Sequence, residues 1–167
     1  KGIGFLYASS ADFDSYLHGG DQEQKKRAGT ENLAAIVGMV AALKEDLEQQ
    51  AEHYQKLEGL KSAFLDEIAD LEYYLNESQH QLPYVVNIGF PGQKNDLLLL
   101  RLDLEGISIS TGSACTAGIV QTSHVLEAFY GSDSYRLTES VRISLSPLNT
   151  EEELKQLAQT LKNIIGD

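Results

Sequence analysis

The feature that most constrains the fold is an apolar stripe of helical period that runs through residues 33–71. Large aliphatic and aromatic side chains recur there at three- and four-residue steps, which is the spacing of one helix face. The stripe consists of Leu33, Ile36, Val37, Val40, Leu43, Leu47, Ala51, Tyr54, Leu57, Phe64, Leu65, Ile68 and Leu71. The pattern predicts one long helix, or two helices with a bend between residues 44 and 50.

Apolar runs rich in β-branched and aromatic residues predict several short strands. They lie at residues 1–8, 73–75, 84–90, 107–110 and 139–146. In the last run, Val141 and Ile143 face one way and Arg142 faces the other, because successive side chains of a strand point to opposite faces. The apolar residues of this run are therefore expected in the core, and Arg142 outside it.

Cap residues delimit three further helices. Their start and stop signals are Asn95 with Gly106, Ser123 with Gly131, and the Thr150–Glu153 capping box of a C-terminal amphipathic helix. The predicted fold is therefore α/β, in detail a small α+β domain in which a long helix and a short, mostly antiparallel sheet are covered by helices.

Composition limits the classes of function. The 167 residues carry a formal net charge of −12, and this acidity argues against nucleic acid as a direct partner, since phosphate contacts need clustered Lys and Arg. No run approaches the roughly 18 apolar residues of a membrane span. With one cysteine the chain forms no internal disulfide, which fits a reducing cytoplasm. A cytoplasmic protein without a membrane partner is expected.

Residues 108–118, with the sequence SISTGSACTAG, hold that one cysteine, Cys115. The small and polar neighbours and the bounding glycines are typical of a loop that leaves a strand, where a thiol can be carried to a reaction partner. A half-buried cysteine that acts as a small hydrophobic residue is an equal alternative, because a solitary cysteine is weak support for catalysis.

A second candidate feature is the irregular stretch at residues 9–29, which ends in a basic run, residues 25–27 (KKR). A cationic loop that leads into a helix N-terminus favours a bound phosphate or carboxylate, because free N–H groups and the helix dipole point at it. Thr30 follows this run. Its hydroxyl is interpreted either as a helix N-cap or as an anion ligand, and one interpretation does not exclude the other.

Arg142 is the third candidate. A guanidinium on a rigid strand presents a planar pair of donors that matches a carboxylate. A structural ion pair with one of the 25 acidic residues is at least as good an interpretation from the sequence alone.

Together these features resemble the C-terminal part of a cysteine desulfurase. The resemblance covers nearly the whole chain, in order and at suitable spacings. It is carried by residues 18–23 (HGGDQE), 27–32 (RAGTEN), 110–118 (STGSACTAG), 140–145 (SVRISL) and 150–152 (TEE).

The resemblance implies a homodimeric pyridoxal-phosphate enzyme with the fold-type I architecture of class V aminotransferases. It implies that Cys115 accepts the sulfur of L-cysteine as a persulfide and leaves L-alanine. It further implies that Arg142 clamps the substrate carboxylate and that Thr30 reaches the cofactor phosphate of the opposite subunit. The long loop around Cys115 resembles the branch that passes sulfur to an acceptor protein for iron-sulfur cluster assembly or tRNA thiolation.

The chain departs from this family at its beginning. The family's lysine that bonds to the cofactor, with its preceding histidine, lies upstream of the segment that Lys1 and Gly2 would end. Residues 1–30 are therefore expected to be the tail of a large cofactor domain and residues 31–167 the small domain, so the chain alone is expected to be inactive.

Three alternatives stay open at this point. One is a related enzyme, a selenocysteine lyase or an aminotransferase. The second is a cofactor-free sulfur carrier that uses Cys115, and the third is a dimerisation domain in which that thiol is inert. Neither His18 nor His124 receives a role.

Overall fold

A computed structural model describes residues 2–10, 12–112 and 122–166. The chain divides into two compact units, residues 1–51 and 52–167. The predicted division of the chain after residue 30 stays a prediction.

Helix α1, Leu33–Glu67, is one uninterrupted helix of 35 residues, which confirms the single-helix alternative. Asn32 caps it: the Ala35 N–H donates to Asn32 Oδ1 at 3.2 Å, and the Ile36 N–H donates to the Asn32 carbonyl at 2.9 Å. The prediction of Thr30 as the N-cap is therefore wrong. The cap is the residue whose carbonyl accepts the first helical hydrogen bond, and that bond falls two residues later.

The first unit contains little regular structure before α1. Residues 2–8 belong to no strand, so the predicted N-terminal strand is wrong in the described chain. A strand requires a neighbour to accept and donate its ladder hydrogen bonds, and an apolar pattern does not supply one. The pairing found in this unit is a single parallel bridge between Leu17 and Arg27, in which the Ala28 N–H donates to the Leu17 carbonyl at 3.2 Å.

The second unit contains a three-stranded antiparallel sheet, as predicted. Its strands are β1 Tyr74–Leu75, β2 Val85–Gly89 and β3 Ser140–Ser144, in the order β1-β2-β3. The strand predicted at 107–110 is reduced to one antiparallel bridge between Ser110 and Arg142, because this segment meets β3 at that single point.

Four helices complete this unit in the described chain. They are α2 Asn95–Leu104, α3 His124–Tyr130, α4 Arg136–Glu139 and α5 Glu151–Gly166. The predicted Ser123 cap is confirmed, since its hydroxyl accepts from the Leu126 N–H at 3.3 Å. The Thr150–Glu153 capping box is confirmed in both directions, at 3.0 and 3.3 Å. Helix α4 was not predicted, because its four residues are too few to show a period.

Gly106 ends α2 as predicted. Its φ of +76° lies in the left-handed region that glycine adopts without strain. The Ile107 N–H reaches back to the Leu102 carbonyl at 2.9 Å, and the Gly106 N–H reaches the Asp103 carbonyl at 2.9 Å. This pair of bonds is the Schellman motif.

The core lies on one face of the sheet, against the C-terminal half of α1 and helices α2 and α5. Its largest fully buried side chains are Phe64, Ile68, Val86, Ile88, Phe90, Leu98, Leu102, Val141 and Leu161. Because Val86, Ile88, Val141 and Ile143 point into this core, the residues that alternate with them occupy the opposite, outer face of the sheet. No described helix combines the length and apolarity needed to cross a membrane.

The apolar stripe of α1 is buried only in its second half. Leu57, Leu60 and Phe64 belong to the core, whereas Leu33 and Val37 are 69% and 68% exposed.

Asn95 is the first residue of α2 and not its cap, which corrects the prediction. The residue at the N-cap is Lys94, and it makes no side-chain capping bond. The Asn95 amide instead lies buried. It donates two hydrogen bonds, one to the Leu137 carbonyl at 3.2 Å and one to the Ser140 carbonyl at 3.1 Å. It thereby fixes the turn that leads from α4 into β3.

Replacing Asn95 with Asp is expected to lower the free energy of unfolding by about 1–3 kcal/mol, because a carboxylate has no donor for the two buried carbonyls. Urea denaturation followed by circular dichroism measures the change. Asn163→Asp is the matched control: Asn163 is exposed, and its Oδ1 accepts from Gln159, a role that Asp keeps. Equal stability of the Asn95 and Asn163 variants would contradict this account of the turn.

Candidate active site

Arg142 is the centre of the candidate site. It is half-buried on the outer face of β3, between the buried Val141 and Ile143, as its position in the strand predicted. Its backbone is held on both sides, since it pairs with Asn87 of β2 and exchanges two hydrogen bonds with Ser110, at 2.7 and 3.0 Å. The strand therefore fixes the base of this side chain.

The Arg142 guanidinium makes no ion pair with any described carboxylate. The alternative of a structural ion pair thus has no counterpart within residues 2–10, 12–112 and 122–166. A planar pair of donors on a fixed strand, without a described protein carboxylate as its partner, is suited to a carboxylate from a ligand.

Arg142 belongs to a row of polar residues that crosses the outer face of the sheet. Leu75 pairs with Ile88, so Asn76 lies beside Asn87, and the Asn76 N–H donates to the Asn87 carbonyl at 2.9 Å. Asn87 is in turn the direct partner of Arg142. Side chains of directly opposed residues share a face, so the row has the order Asn76, Asn87, Arg142, Ser110.

Side-chain hydrogen bonds link the first part of this row. Asn76 Nδ2 donates to Asn87 Oδ1 at 2.8 Å and to Ser140 Oγ at 2.9 Å. Arg136 Nη1 donates to Asn76 Oδ1 at 2.6 Å. A continuous chain of polar contacts therefore runs from Arg136 to the residue beside Arg142.

Arg136 is held by aromatic rings as well. Its guanidinium lies 4.2 Å from the ring centre of Tyr74 and 4.5 Å from that of Tyr130, which are cation–π distances. Tyr130 is the last residue of α3, so Arg136 joins this helix to β1. No sequence pattern predicts the contact of Arg136 with Tyr74, because the two residues are about 60 positions apart and share no motif.

Tyr74 packs directly on Gly89, its partner in the sheet, where a Cβ would overlap the tyrosine ring. Its hydroxyl donates to Glu139 Oε2 at 3.3 Å. The pKa of Tyr74 is raised to about 12, first by burial and also by the nearby Glu139 carboxylate, while a hydrogen bond with Ser140 and the Arg136 cation oppose the rise. The phenol therefore stays a neutral donor beside the Arg136 cation.

Thr30 lies in the first unit and is exposed, three residues before α1. The basic run before it is largely engaged: Lys26 Nζ donates to the Phe13 carbonyl at 2.6 Å, and Arg27 Nη1 donates to the Ala28 carbonyl at 2.7 Å. Among the described residues, Lys25 pairs only with the exposed Asp21, at 3.8 Å. An exposed hydroxyl that comes shortly after a basic run in the sequence suits an anion such as the phosphate of the expected cofactor.

Cys115 lies outside the described residues. The chain on either side of residues 113–121 is described: Ser110 is bonded to β3 before them, and Ser123 caps α3 after them. The predicted site residues are therefore not all brought together by the described structure. Arg142 belongs to one unit and Thr30 to the other.

The sequence is similar to one protein family and to several curated proteins. The model of the class-V aminotransferase family matches residues 1–157. A Bacillus subtilis protein named "Putative cysteine desulfurase IscS 1" is 44% identical over 169 residues, covering 99% of this chain and 45% of the relative. An Escherichia coli protein named "Cysteine desulfurase IscS" is 33% identical, covering 99% of this chain and 42% of its own length. The chain thus spans less than half the length of these relatives.

Solved structures give the same picture. A structure titled "NIFS-LIKE PROTEIN" matches with a TM-score of 0.77 at 28% identity, over 91% of this chain and 39% of that one. A NifS-like protein from Rickettsia africae matches with a TM-score of 0.77 at 26% identity, over 92% and 40% of the two chains. These matches confirm the predicted α/β fold.

The pKa of Tyr74 is open to a direct test. Because it lies near 12, above the ordinary value of about 10, folded protein keeps this proton longer than unfolded protein does. Stability is therefore expected to fall as pH rises from about 10 to about 12. When folded protein is jumped to successive pH values, the absorbance of tyrosinate should show a late titration step, near pH 12, that Tyr74→Phe removes. Tyr16→Phe, at a residue that is 92% exposed, is the control and should keep that step. A late step that survives in Tyr74→Phe would contradict the assignment.

Proposed function

Because the chain belongs to the class-V aminotransferase family, we propose that the whole protein is a cysteine desulfurase that converts L-cysteine to L-alanine and leaves the sulfur on Cys115 as a persulfide. The observation that carries the proposal is the guanidinium of Arg142, whose backbone is fixed in β3 and which makes no ion pair with a described carboxylate. An α-amino acid substrate supplies the carboxylate that such a donor pair fits. The names of the relatives support the same reaction.

Arg142 has the role of holding the substrate by its carboxylate end. Since its backbone is fixed by β2 on one side and by Ser110 on the other, substrate binding needs no further ordering of the strand that carries it. Cys115 follows Ser110, whose backbone is bonded to Arg142, by five residues in the sequence.

In the proposed sulfur transfer, every bond that breaks is matched by a bond that forms. Pyridoxal phosphate, when bound, draws electrons from the substrate and makes its carbon–sulfur bond breakable. The Cys115 thiolate attacks the substrate sulfur and forms a sulfur–sulfur bond while the carbon–sulfur bond breaks. The electron pair of that bond stays with the β-carbon, which takes up a proton. The products are L-alanine and a persulfide, and no external oxidant or reductant is needed.

Thr30 is proposed to hold the cofactor phosphate, with its hydroxyl donating to a phosphate oxygen of the opposite subunit's cofactor. This role assumes a homodimer. The exposed apolar residues at the start of α1 support it, because apolar stripes of this kind normally lie against other protein.

The persulfide is proposed to pass to a sulfur-acceptor protein for iron-sulfur cluster assembly or tRNA thiolation, in the cytoplasm. The 167-residue chain alone is proposed to be inactive, because it spans less than half the length of the relatives that it matches.

The test uses the whole protein, loaded with pyridoxal phosphate and supplied with L-cysteine. We expect L-alanine by chromatography, together with one added sulfur on the Cys115 peptide by mass spectrometry. Cys115→Ser should abolish both, because a hydroxyl does not accept the sulfur. Ser62→Ala, a change at an exposed residue of α1 that leaves the thiol in place, is the control and should retain both products.

Two outcomes would overturn the proposal. If Cys115→Ser makes alanine as fast as the unchanged protein, that thiol is not the acceptor. If the protein makes alanine only from selenocysteine, the enzyme is a selenocysteine lyase.

A further inference from the structure

Arg136 determines the direction of two amide side chains in series. A guanidinium has only donors, so the atom of Asn76 that it contacts at 2.6 Å must be the amide oxygen. The Asn76 Nδ2 group then points to Asn87, and the atom that it contacts at 2.8 Å must be the oxygen of Asn87. The orientation of both amides therefore follows from the chemistry of one arginine.

The orientation of these amides determines which group of Asn87 is available to a ligand. With its oxygen committed to Asn76, the N–H₂ group of Asn87 is the end that remains for another partner, and no described residue accepts a hydrogen bond from it. Asn87 is half-buried and directly opposite Arg142 on the outer face of the sheet. Directly opposed residues have Cβ atoms about 4.5–5.5 Å apart, so one ligand group can contact both side chains.

We propose that Asn87 is a second substrate-binding residue, whose amide N–H donates to the carboxylate that Arg142 binds, and that Arg136 is a positioning residue that orients this amide. The proposal rests on the proposed function and deepens it. A carboxylate has about four lone-pair sites, of which a guanidinium fork fills two, so a further donor finds an acceptor on the same group. Such a site selects α-amino acids with a free carboxylate.

Two features make Asn87 well suited to this role. Its backbone is part of the β2–β3 ladder, so the amide is carried by a rigid element. Its side-chain oxygen is held by a chain of contacts that ends in the Arg136 guanidinium, which is itself in contact with the rings of Tyr74 and Tyr130. A donor that is oriented before the substrate arrives loses little entropy on binding.

The experiment compares steady-state kinetics of the whole protein with L-cysteine. Asn87→Asp keeps the shape of the side chain and its acceptor for Asn76, but it replaces the donor with a negative charge. We expect KM to rise about tenfold or more, because the variant loses a hydrogen bond to a charged group, with a smaller change in kcat. Asn163→Asp, the same change at an exposed site on α5, is the control and should leave KM unchanged.

Arg136 provides an independent pair of variants. Arg136→Met removes the donor, so Asn76 and Asn87 lose their fixed direction, and KM should rise about threefold to tenfold with kcat nearly constant. Arg136→Lys keeps a donor-only group beside Asn76 and should restore most of the lost affinity. If Arg136 had a purely structural role, Arg136→Met would lower thermal stability. It would not raise KM at nearly constant kcat, and Arg136→Lys would not restore the affinity.

The outcomes separate the two proposals. If the unchanged protein makes no alanine from L-cysteine, the proposed function is wrong. If it does, and both Asn87→Asp and Arg136→Met keep KM within about twofold of the unchanged protein, the inference about Asn87 is wrong while the function stands. Should Asn87→Asp not fold, the Arg136 pair decides: equal KM for Met and Lys contradicts the inference, and an increase confined to Met supports it.

Discussion

The pairing of β2 with β3 is the constraint on which the candidate site depends. Five residue pairs, from Val85 with Ser144 to Gly89 with Ser140, set the register. A slip of one residue would turn Val141 and Ile143 to the outer face and Arg142 into the core. Exposing two such aliphatic side chains costs about 1.5–3 kcal/mol each, and burying an unpaired guanidinium costs more, so the core itself enforces the register. Apolar packing on one face thereby fixes the polar row on the other.

This arrangement separates stability from chemistry. The inner face of the sheet is closed by α1, α2 and α5, and its residues are almost fully buried. The outer face carries Asn76, Asn87 and Arg142, which are all half-buried, and side-chain hydrogen bonds connect Asn87 through Asn76 to Arg136 of α4. Substitutions on the outer face can therefore alter ligand binding while the core keeps the fold intact. The buried amide of Asn95 joins the two layers where α4 enters β3.

Much of the fold could be predicted from the sequence, because periodicity and caps are local signals. The long helix α1, strands β2 and β3, the Ser123 cap and the Thr150–Glu153 capping box follow from residues within a few positions of each other. Where a segment's structure depends on residues that are distant in the sequence, local patterns predicted it wrongly. Residues 2–8 have a strand composition but no described strand beside them. The cap of α1 is Asn32 and not the predicted Thr30, because the first helical hydrogen bond is accepted by the Asn32 carbonyl.

The site divides in the same way. Arg142 could be placed on the outer face by alternation alone, and the structure agrees. The contacts of Arg136 with Tyr74 and Asn76 join residues about 60 positions apart, and no spacing in the sequence encodes them. The roles of Cys115 and Thr30 rest on the family resemblance and on the chemistry of a thiol and a hydroxyl.

The central claim is that the Arg142 guanidinium binds the carboxylate of the substrate. The most direct measurement is the kcat/KM of the whole protein and of its Arg142→Gln variant with two substrates, L-cysteine and L-cysteinamide, which lacks the carboxylate charge. The account predicts that the variant loses about 10–100-fold with L-cysteine and almost nothing with the amide, because only the first substrate has the group that the arginine binds. An equal loss with both substrates would contradict it.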